Sequence, residues 1–237
     1  MKKISTLLFL SFCLLGTLAA CGGSDPETSE TETTQTEVST PTETTSSSDE
    51  KSAASKAVSK APEEGWKKIE GEGASIWLPE SYDGGVPSED LEFIASRIRD
   101  INPDFEQIAT MIEQNPEMFS LMAFDSQMGD QPFLTNINII SESLPSALTI
   151  ESYLDLTKQQ LPPQFNVVDE KFLEINNYPS VRLLVEMEMA GAAIKQAVYI
   201  VRGEKKAWVI TCATSQAEFD TRLSTFEKIA NSFVIES

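Results

Sequence analysis

The chain has 237 residues, with 37 acidic against 18 basic side chains and a formal net charge of −19. It has no histidine, which excludes Ser-His-Asp catalysis, Cys-His catalysis and the H-E-x-x-H zinc motif within this sequence. A field of this sign repels nucleic acids and anionic membrane surfaces, so we expect no nucleic-acid partner. The same negative charge is compatible with the binding of a basic partner or of a divalent cation.

Residues 1–20 are typical of a secretory signal peptide. Lys2 and Lys3 precede an apolar run over 4–15, which is shorter than the roughly 20 residues that span a bilayer. The following Leu18-Ala19-Ala20-Cys21 resembles the processing site of bacterial lipoproteins. The resemblance implies cleavage between Ala20 and Cys21 and attachment of lipid, with acyl chains such as palmitate, to the Cys21 thiol. The anchor would hold the chain on the extracytoplasmic side of a membrane.

The composition changes sharply after the leader. Residues 21–62 are rich in Ser, Thr, Glu and Pro and contain no aromatic residue. Such a segment buries too little apolar surface to offset its chain entropy, so we expect a disordered tether that begins at the lipidated Cys21. Residues 63–237 are expected to form one folded domain, which is long enough to build a core without disulfides.

The first half of the domain alternates short strands with helices. Apolar runs and alternation predict strands over 66–70, 75–79, 121–124 and 136–141. Helical spacing predicts helices over 91–98, 105–112 and 150–161. We expect Ser88 and Thr149 to cap the first and third of these helices. Residues 81–85 are predicted to be a loop.

Strands dominate from Phe165. Extended segments are predicted over 165–175, 181–189, 194–201 and 207–212, and the last three are expected to form an antiparallel meander. Ser215 and Glu218 have the spacing of a capping box, which predicts a final helix that runs to Phe233. The whole pattern predicts an α+β fold in which an antiparallel β-sheet is flanked by helices.

Several of these features together resemble a known family. They are an aromatic opening strand, a strand that ends in Leu78-Pro79, the segment from Gly203 through 206–211, and a final helix with Phe226-x-x-Ile229-x-x-Ser232-Phe233. This arrangement is similar to the PsbP-like domains, which are related to DcrB and the Mog-type Ran-binding import factors. The resemblance implies an α/β/α sandwich and a non-enzymatic accessory, assembly or binding role. The helical segment 91–118 departs from the shorter connections of many members, and no motif implies a photosystem or Ran contact.

Four groups of residues are candidates for sites. The loop over 125–130 carries two acids, but it lacks the residue order and distal Glu of a calcium loop, so we expect no metal there. Glu186 and Glu188 share one strand face and could act as an acid–base pair, although a solvated face is the simpler interpretation. Cys212 lies in an apolar run and is expected to be a buried hydrophobe. A methionine and phenylalanine group is expected to be core, with an apolar groove as the alternative: Met111, Met118, Met122, Met128, Phe105, Phe119 and Phe124.

The leading hypothesis is a lipid-anchored protein whose domain binds a partner without catalysing a reaction and without a cofactor. The alternative is a carrier of a small ligand or divalent metal, with a concave apolar pocket between the helices over 91–124 and the sheet. A hydrolase without histidine ranks last, since residues 63–237 contain no G-x-S-x-G or S-x-x-K string.

The substitution Cys21→Ser tests the anchor. We expect it to release the protein from the membrane fraction or to leave the leader uncut, because the acyl chains supply the membrane affinity. Cell fractionation and mass spectrometry of the N-terminal peptide measure both effects. A wild-type mature protein that carries an unmodified Cys21 would contradict the interpretation.

Overall fold

The computed structural model describes residues 60–101, 106–127, 133–189 and 191–236. Within these ranges the chain forms ten strands, four α-helices and one 3-10 helix. The strands are β1 (Trp66–Gly71), β2 (Ala74–Pro79), β3 (Tyr82–Gly85), β4 (Leu121–Asp125), β5 (Asn136–Ser143), β6 (Asn166–Ile175), β7 (Tyr178–Met189), β8 (Ala192–Arg202), β9 (Lys206–Ser215) and β10 (Val234–Ile235). The helices are α1 (Pro87–Ile101), α2 (Glu106–Gln114), the 3-10 helix (Pro116–Met118), α3 (Ile150–Gln160) and α4 (Gln216–Asn231).

The strands form two antiparallel sheets. The larger sheet has seven strands in the order β3-β4-β5-β9-β8-β7-β6, and the smaller sheet has the order β1-β2-β10. The meander β7-β8-β9 is paired as the alternation predicts, and β6 joins it at the edge through the turn at Asn176 and Asn177. Both turn residues have positive φ angles, which asparagine tolerates better than most residues. The predicted α+β class with an antiparallel sheet is confirmed.

Each face of the large sheet is covered by a different layer. One face, here called the helical face, packs against α1, α2 and α3. Its core includes Ile98, Ile112, Tyr153, Leu183 and Val209. The opposite face, here called the α4 face, packs against α4 and the small sheet. Its core includes Leu78, Tyr199, Trp208, Phe226 and Phe233. The two layers explain why every residue of β9 after Lys206 is buried.

The segment Tyr82–Gly85 is a strand, and the prediction of a loop was wrong. It pairs with β4 from Tyr82 opposite Asp125 to Gly85 opposite Met122. A side chain at Gly84 would clash with the Met122 carbonyl oxygen, so glycine is needed for this close approach. Glycine pairs ordinarily indicate turns, and the contact that makes this segment a strand is remote in sequence.

The structure confirms one predicted helix cap and corrects two. Thr149 caps α3, because its Oγ1 accepts a hydrogen bond from the Ser152 N–H at 3.3 Å. The prediction for Ser88 was wrong: α1 begins at Pro87, and Asp90 accepts from the Val86 N–H at 3.1 Å instead.

The second correction concerns the start and end of α4. Ser215 occupies the N-cap position of α4 as predicted, but its side chain makes no cap hydrogen bond, and Glu218 accepts from Arg222 at 3.2 Å. The helix ends at Asn231 rather than Phe233, and the chain continues into β10, which the sequence did not predict. In the part of the chain that the structure describes, no helix combines the length and apolar character needed to cross a membrane.

Phe226 tests the packing of α4 on the sheet. The side chain is fully buried, so Phe226→Ala should lower the free energy of unfolding by about 3–5 kcal/mol, because it removes apolar contacts and leaves a cavity. The control is Phe93→Ala at a half-exposed position of α1, which should change stability by less than about 0.5 kcal/mol. Denaturant unfolding of the full chain measures both. Equal losses for the two variants would contradict the packing described here.

Candidate functional site

The predicted anchor lies outside the described residues. Ala20 and Cys21, together with the whole of 1–59, belong to the part of the chain for which the structure gives no account. Lipid attachment at Cys21 and cleavage after Ala20 therefore stay predictions. The boundaries 1–20, 21–62 and 63–237 stay predictions as well, although β1 begins at Trp66, close to the expected start of the domain.

Asp125 is a structural acid. It closes β4, its side chain is nearly buried, and one carboxylate oxygen accepts from Arg222 Nη1 of α4 at 2.6 Å. The other oxygen accepts from the Gln127 N–H at 3.1 Å. Met128, Gly129 and Asp130 lie outside the described residues. Within the described ranges, no group of three or more His, Cys, Asp or Glu side chains is placed to hold a metal ion.

The methionine and phenylalanine group is core where the structure describes it. Met122, Phe119 and Phe124 are buried, and Met111 and Met118 pack against the same cluster. The predicted groove between the helices and the sheet is filled at this place, because helix residues such as Ile112 belong to one packed cluster with these side chains. Phe105 and Met128 fall outside the described ranges.

Glu186, Glu188 and Cys212 are not brought together as a reactive group. The Glu186 carboxylate pairs with Lys195 Nζ of the neighbouring strand at 3.0 Å, and Glu188 is exposed near the end of β7. Cys212 has no exposed surface. Burial raises the pKa of its thiol above the ordinary value, because a thiolate is poorly solvated in an apolar interior. The prediction of a buried cysteine is confirmed.

The feature that sequence reasoning missed is the outer edge of the large sheet. Among the described residues, three large apolar side chains are exposed: Phe93 (50%), Val168 (43%) and Phe172 (47%). Two of them lie on β6, which pairs with β7 along one side and ends the sheet on the other. We call Val168, Phe172 and this free backbone edge the β6 edge surface. Apolar residues at an unpaired edge are the elements that strand-addition interfaces use.

Ion pairs hold β6 in place from both faces. Asp169 accepts from Arg182 at 2.8 Å, and the same guanidinium reaches Glu227 of α4 at 2.7 Å. On the helical face, Glu170 pairs with Lys158 of α3 at 2.7 Å. The edge strand therefore contacts both covering layers, while its pairing with β7 orders its backbone.

A local irregularity accompanies the exposed valine. The pairing of β6 with β7 shifts register between Val167 and Asp169, so Val168 is the extra residue of a bulge. The shift interrupts the pairing at this one residue, and β6 pairs with β7 on both sides of it, at 166–167 and at 169–175. A sequence signal did exist, because the residues from 166 to 175 lack the alternation that marks 181–189.

The chain is similar to known proteins in structure and not in sequence. No protein-family model and no curated protein matches the chain. Among solved structures, it is similar to the cyanobacterial PsbP protein CyanoP of Synechocystis, with 12% identity, a TM-score of 0.49, and coverage of 72% of this chain and 92% of that one. It is also similar to LpqN of Mycobacterium tuberculosis, described as involved in cell envelope biogenesis, with 12% identity, a TM-score of 0.49, and coverage of 73% and 91%. These similarities carry no argument about function.

The burial of Cys212 predicts slow alkylation. In the full chain with Cys13→Ser and Cys21→Ser, Cys212 is the remaining thiol. We expect iodoacetamide at pH 8 to label it at least about 100-fold more slowly than a free cysteine, because reaction requires an opened structure and a thiolate. Labelling in denaturant should be complete. Labelling of the native protein at the rate of a model thiol would show that the site is accessible.

Proposed function

We propose that this chain is a lipid-anchored extracytoplasmic protein whose PsbP-like domain binds another protein through the β6 edge surface and catalyses no reaction. The membrane part of the proposal is supported by the leader and by the processing site at Ala20 and Cys21. The fold part is supported by the residue patterns that resemble PsbP-like domains.

The non-catalytic part is supported by the state of the candidate reactive groups. Glu186 forms an ion pair with Lys195, and Asp125 forms one with Arg222. Cys212 is buried, and its thiol pKa is raised. A group that acts as acid, base or nucleophile must reach its substrate in the right protonation state. Each of these three groups instead serves packing or ion pairing.

The observation that carries the proposal is the exposure of Phe172 on a free strand edge. A strand edge pairs readily with other strands, and the bulge at Val168 and the charges of β6 restrict such pairing without covering Phe172. Here the edge is 10 residues long and held on both faces by ion pairs. An extended segment could add to it through main-chain hydrogen bonds, with an apolar side chain against Phe172.

A second copy of this chain is a poor occupant of the edge. If the β6 strands of two copies paired antiparallel about a two-fold axis through Lys171, that lysine would lie opposite the Lys171 of the other copy. An axis at Phe172 would place Glu170 opposite Glu174 of the other copy. Like charges directly opposite each other destabilise a strand pair, so these central registers disfavour self-association.

The charge of the chain indicates the chemistry of the partner. A net charge of −19 attracts basic proteins over long distances, and Glu174 is exposed beside Phe172 on the same face of the strand. We therefore propose an extended segment with alternating apolar and basic residues as the occupant of the β6 edge surface.

A matched pair of substitutions tests this surface. Phe172→Glu should reduce the amount of partner recovered with the lipidated protein from native membranes by about tenfold or more, because it places a charge at the centre of the contact. Phe93→Glu makes the same change at an equally exposed aromatic residue of α1 and should leave recovery unchanged. Quantitative mass spectrometry of the purified complexes gives both values.

Two further measurements distinguish the loss of a direct contact at Phe172 from an indirect effect of the substitution. A photo-crosslinker at position 172 should attach to a basic segment of the protein that Phe172→Glu loses, and recovery should fall with rising salt. Equal recovery by the two glutamate variants, or crosslinking from position 93 alone, would rule out the β6 edge surface. A turnover activity that depends on Glu186 or Cys212 would rule out the non-catalytic part.

A further inference from the structure

A cavity of about 380 Å³ that is widely open to solvent lies at the end of the large sheet where α3 begins. It is on the helical face, because Arg202 stands opposite Ala207, which belongs to the core of that face. Its apolar lining includes Leu148, Ile150 and Pro179, and its charged lining includes Glu151, Arg202 and Glu204. The volume suits a small molecule or the end of a peptide.

Arg202 is the most unusual side chain of this cavity. It is only 9% exposed. Its Nε donates to the Leu148 carbonyl oxygen at 3.0 Å, and its Nη2 donates to the carbonyl oxygens of Pro145 and Ser146 at 3.0 and 3.4 Å. The third nitrogen, Nη1, is buried and has no hydrogen-bond partner in the described structure. One edge of the guanidinium therefore fixes the loop before α3, while Nη1 keeps unused donors.

Arg202 also has no direct ion pair among the described residues. The chain has five arginines, and Arg97, Arg99, Arg182 and Arg222 all form ion pairs. No carboxylate of the described residues lies within 4.0 Å of a nitrogen of Arg202. Burying a cation without an anionic partner is unfavourable, because the lost hydration of the charge is not replaced. In so acidic a chain, this exception indicates that the anion comes from outside.

The start of α3 contributes to the same electrostatic field but does not offer free donors. Its positive dipole end faces the cavity, since Thr149 and Ile150 line it. The Ser152 N–H is already bound by Thr149, and the Glu151 carboxylate accepts from its own N–H and from Thr149, which lowers the pKa of Glu151. Arg202 is therefore the group left to bind an anion.

We infer that this cavity binds the carboxylate of a small monocarboxylic acid or of a peptide C-terminus, with Arg202 as its ionic partner and with the apolar part of the ligand against Leu148, Ile150 and Pro179. Glu151 and Glu204 lie in the same cavity and repel a second negative charge. They disfavour phosphate and dicarboxylates, while one carboxylate can be accommodated beside the guanidinium. This site is separate from the β6 edge surface and does not depend on the function proposed there.

The experiment compares acids with their amides on the full chain, purified in mild detergent. The probes are isovalerate with isovaleramide, and an N-acetylated tetrapeptide ending in leucine with its C-terminal amide. Calorimetric titration at low salt should show saturable binding of at least one acid and binding of the matching amide at least about tenfold weaker. Binding of isovalerate alone would identify a small free acid as the source, and tighter binding of the peptide acid would identify a C-terminus.

Two variants with the same charge change provide the control. Glu204→Gln should tighten acid binding by about threefold at low salt, because it removes a repulsive charge from the cavity. Glu188→Gln, at the opposite end of β7, should leave the affinity unchanged. Arg202→Met should abolish binding. If this variant fails to fold, the comparison of Glu204→Gln with Glu188→Gln still decides whether the acid binds in this cavity. Absence of saturable binding of either acid up to about 20 mM, equal binding of acid and amide, or equal affinity of the two glutamine variants would overturn the inference.

Discussion

The burial of both faces of the seven-stranded sheet is the constraint on which the rest of the structure depends. The central strands β8 and β9 carry apolar side chains toward both faces, so neither face can stay in water. The helices α1, α2 and α3 cover one face, and α4 with the small sheet covers the other. Because both faces of the sheet are used for packing, the strand edges and the loops are the surfaces that remain for binding a partner or a ligand.

That constraint connects the polar features of the domain. Arg182 ties the edge strand to α4, Arg222 ties α4 to the end of β4, and Arg202 fixes the loop that precedes α3. Each arginine holds a covering layer against the large sheet through charged or carbonyl groups. Arg202 alone does so without a carboxylate partner among the described residues, so the same role in packing creates a cavity with an unsatisfied charge.

Local sequence patterns correctly predicted the strands and helices whose structure depends on residues close by in the sequence. Alternation over 181–189 and a threonine at 149 were enough to predict a strand and a helix start, because both depend on neighbouring residues. Tyr82–Gly85 was missed because its strand character depends on β4, which lies about forty residues further along the chain. Ser215 takes the N-cap position that the local pattern predicts, but the side-chain hydrogen bond of the capping box does not form.

The candidate sites show the same division between local and remote information. The burial of Cys212 followed from its apolar neighbours, whereas the exposure of Phe172 followed from the position of β6 at the edge, which no local pattern contains. The environment of Arg202 likewise depends on carbonyl groups more than fifty residues away. Sites built from such remote contacts require the fold before they can be recognised.

Hydrogen exchange, measured by mass spectrometry on the full chain alone and in the complex purified from native membranes, tests the role of the free edge most directly. Alone, peptides from 166–175 should exchange faster than those from β8 and β9, because one side of β6 has no strand partner among the described residues. In the complex, 166–175 should gain protection while α4 stays unchanged. Protection confined to another region, with 166–175 exchanging as in the free chain, would contradict the assignment of β6 as the binding edge.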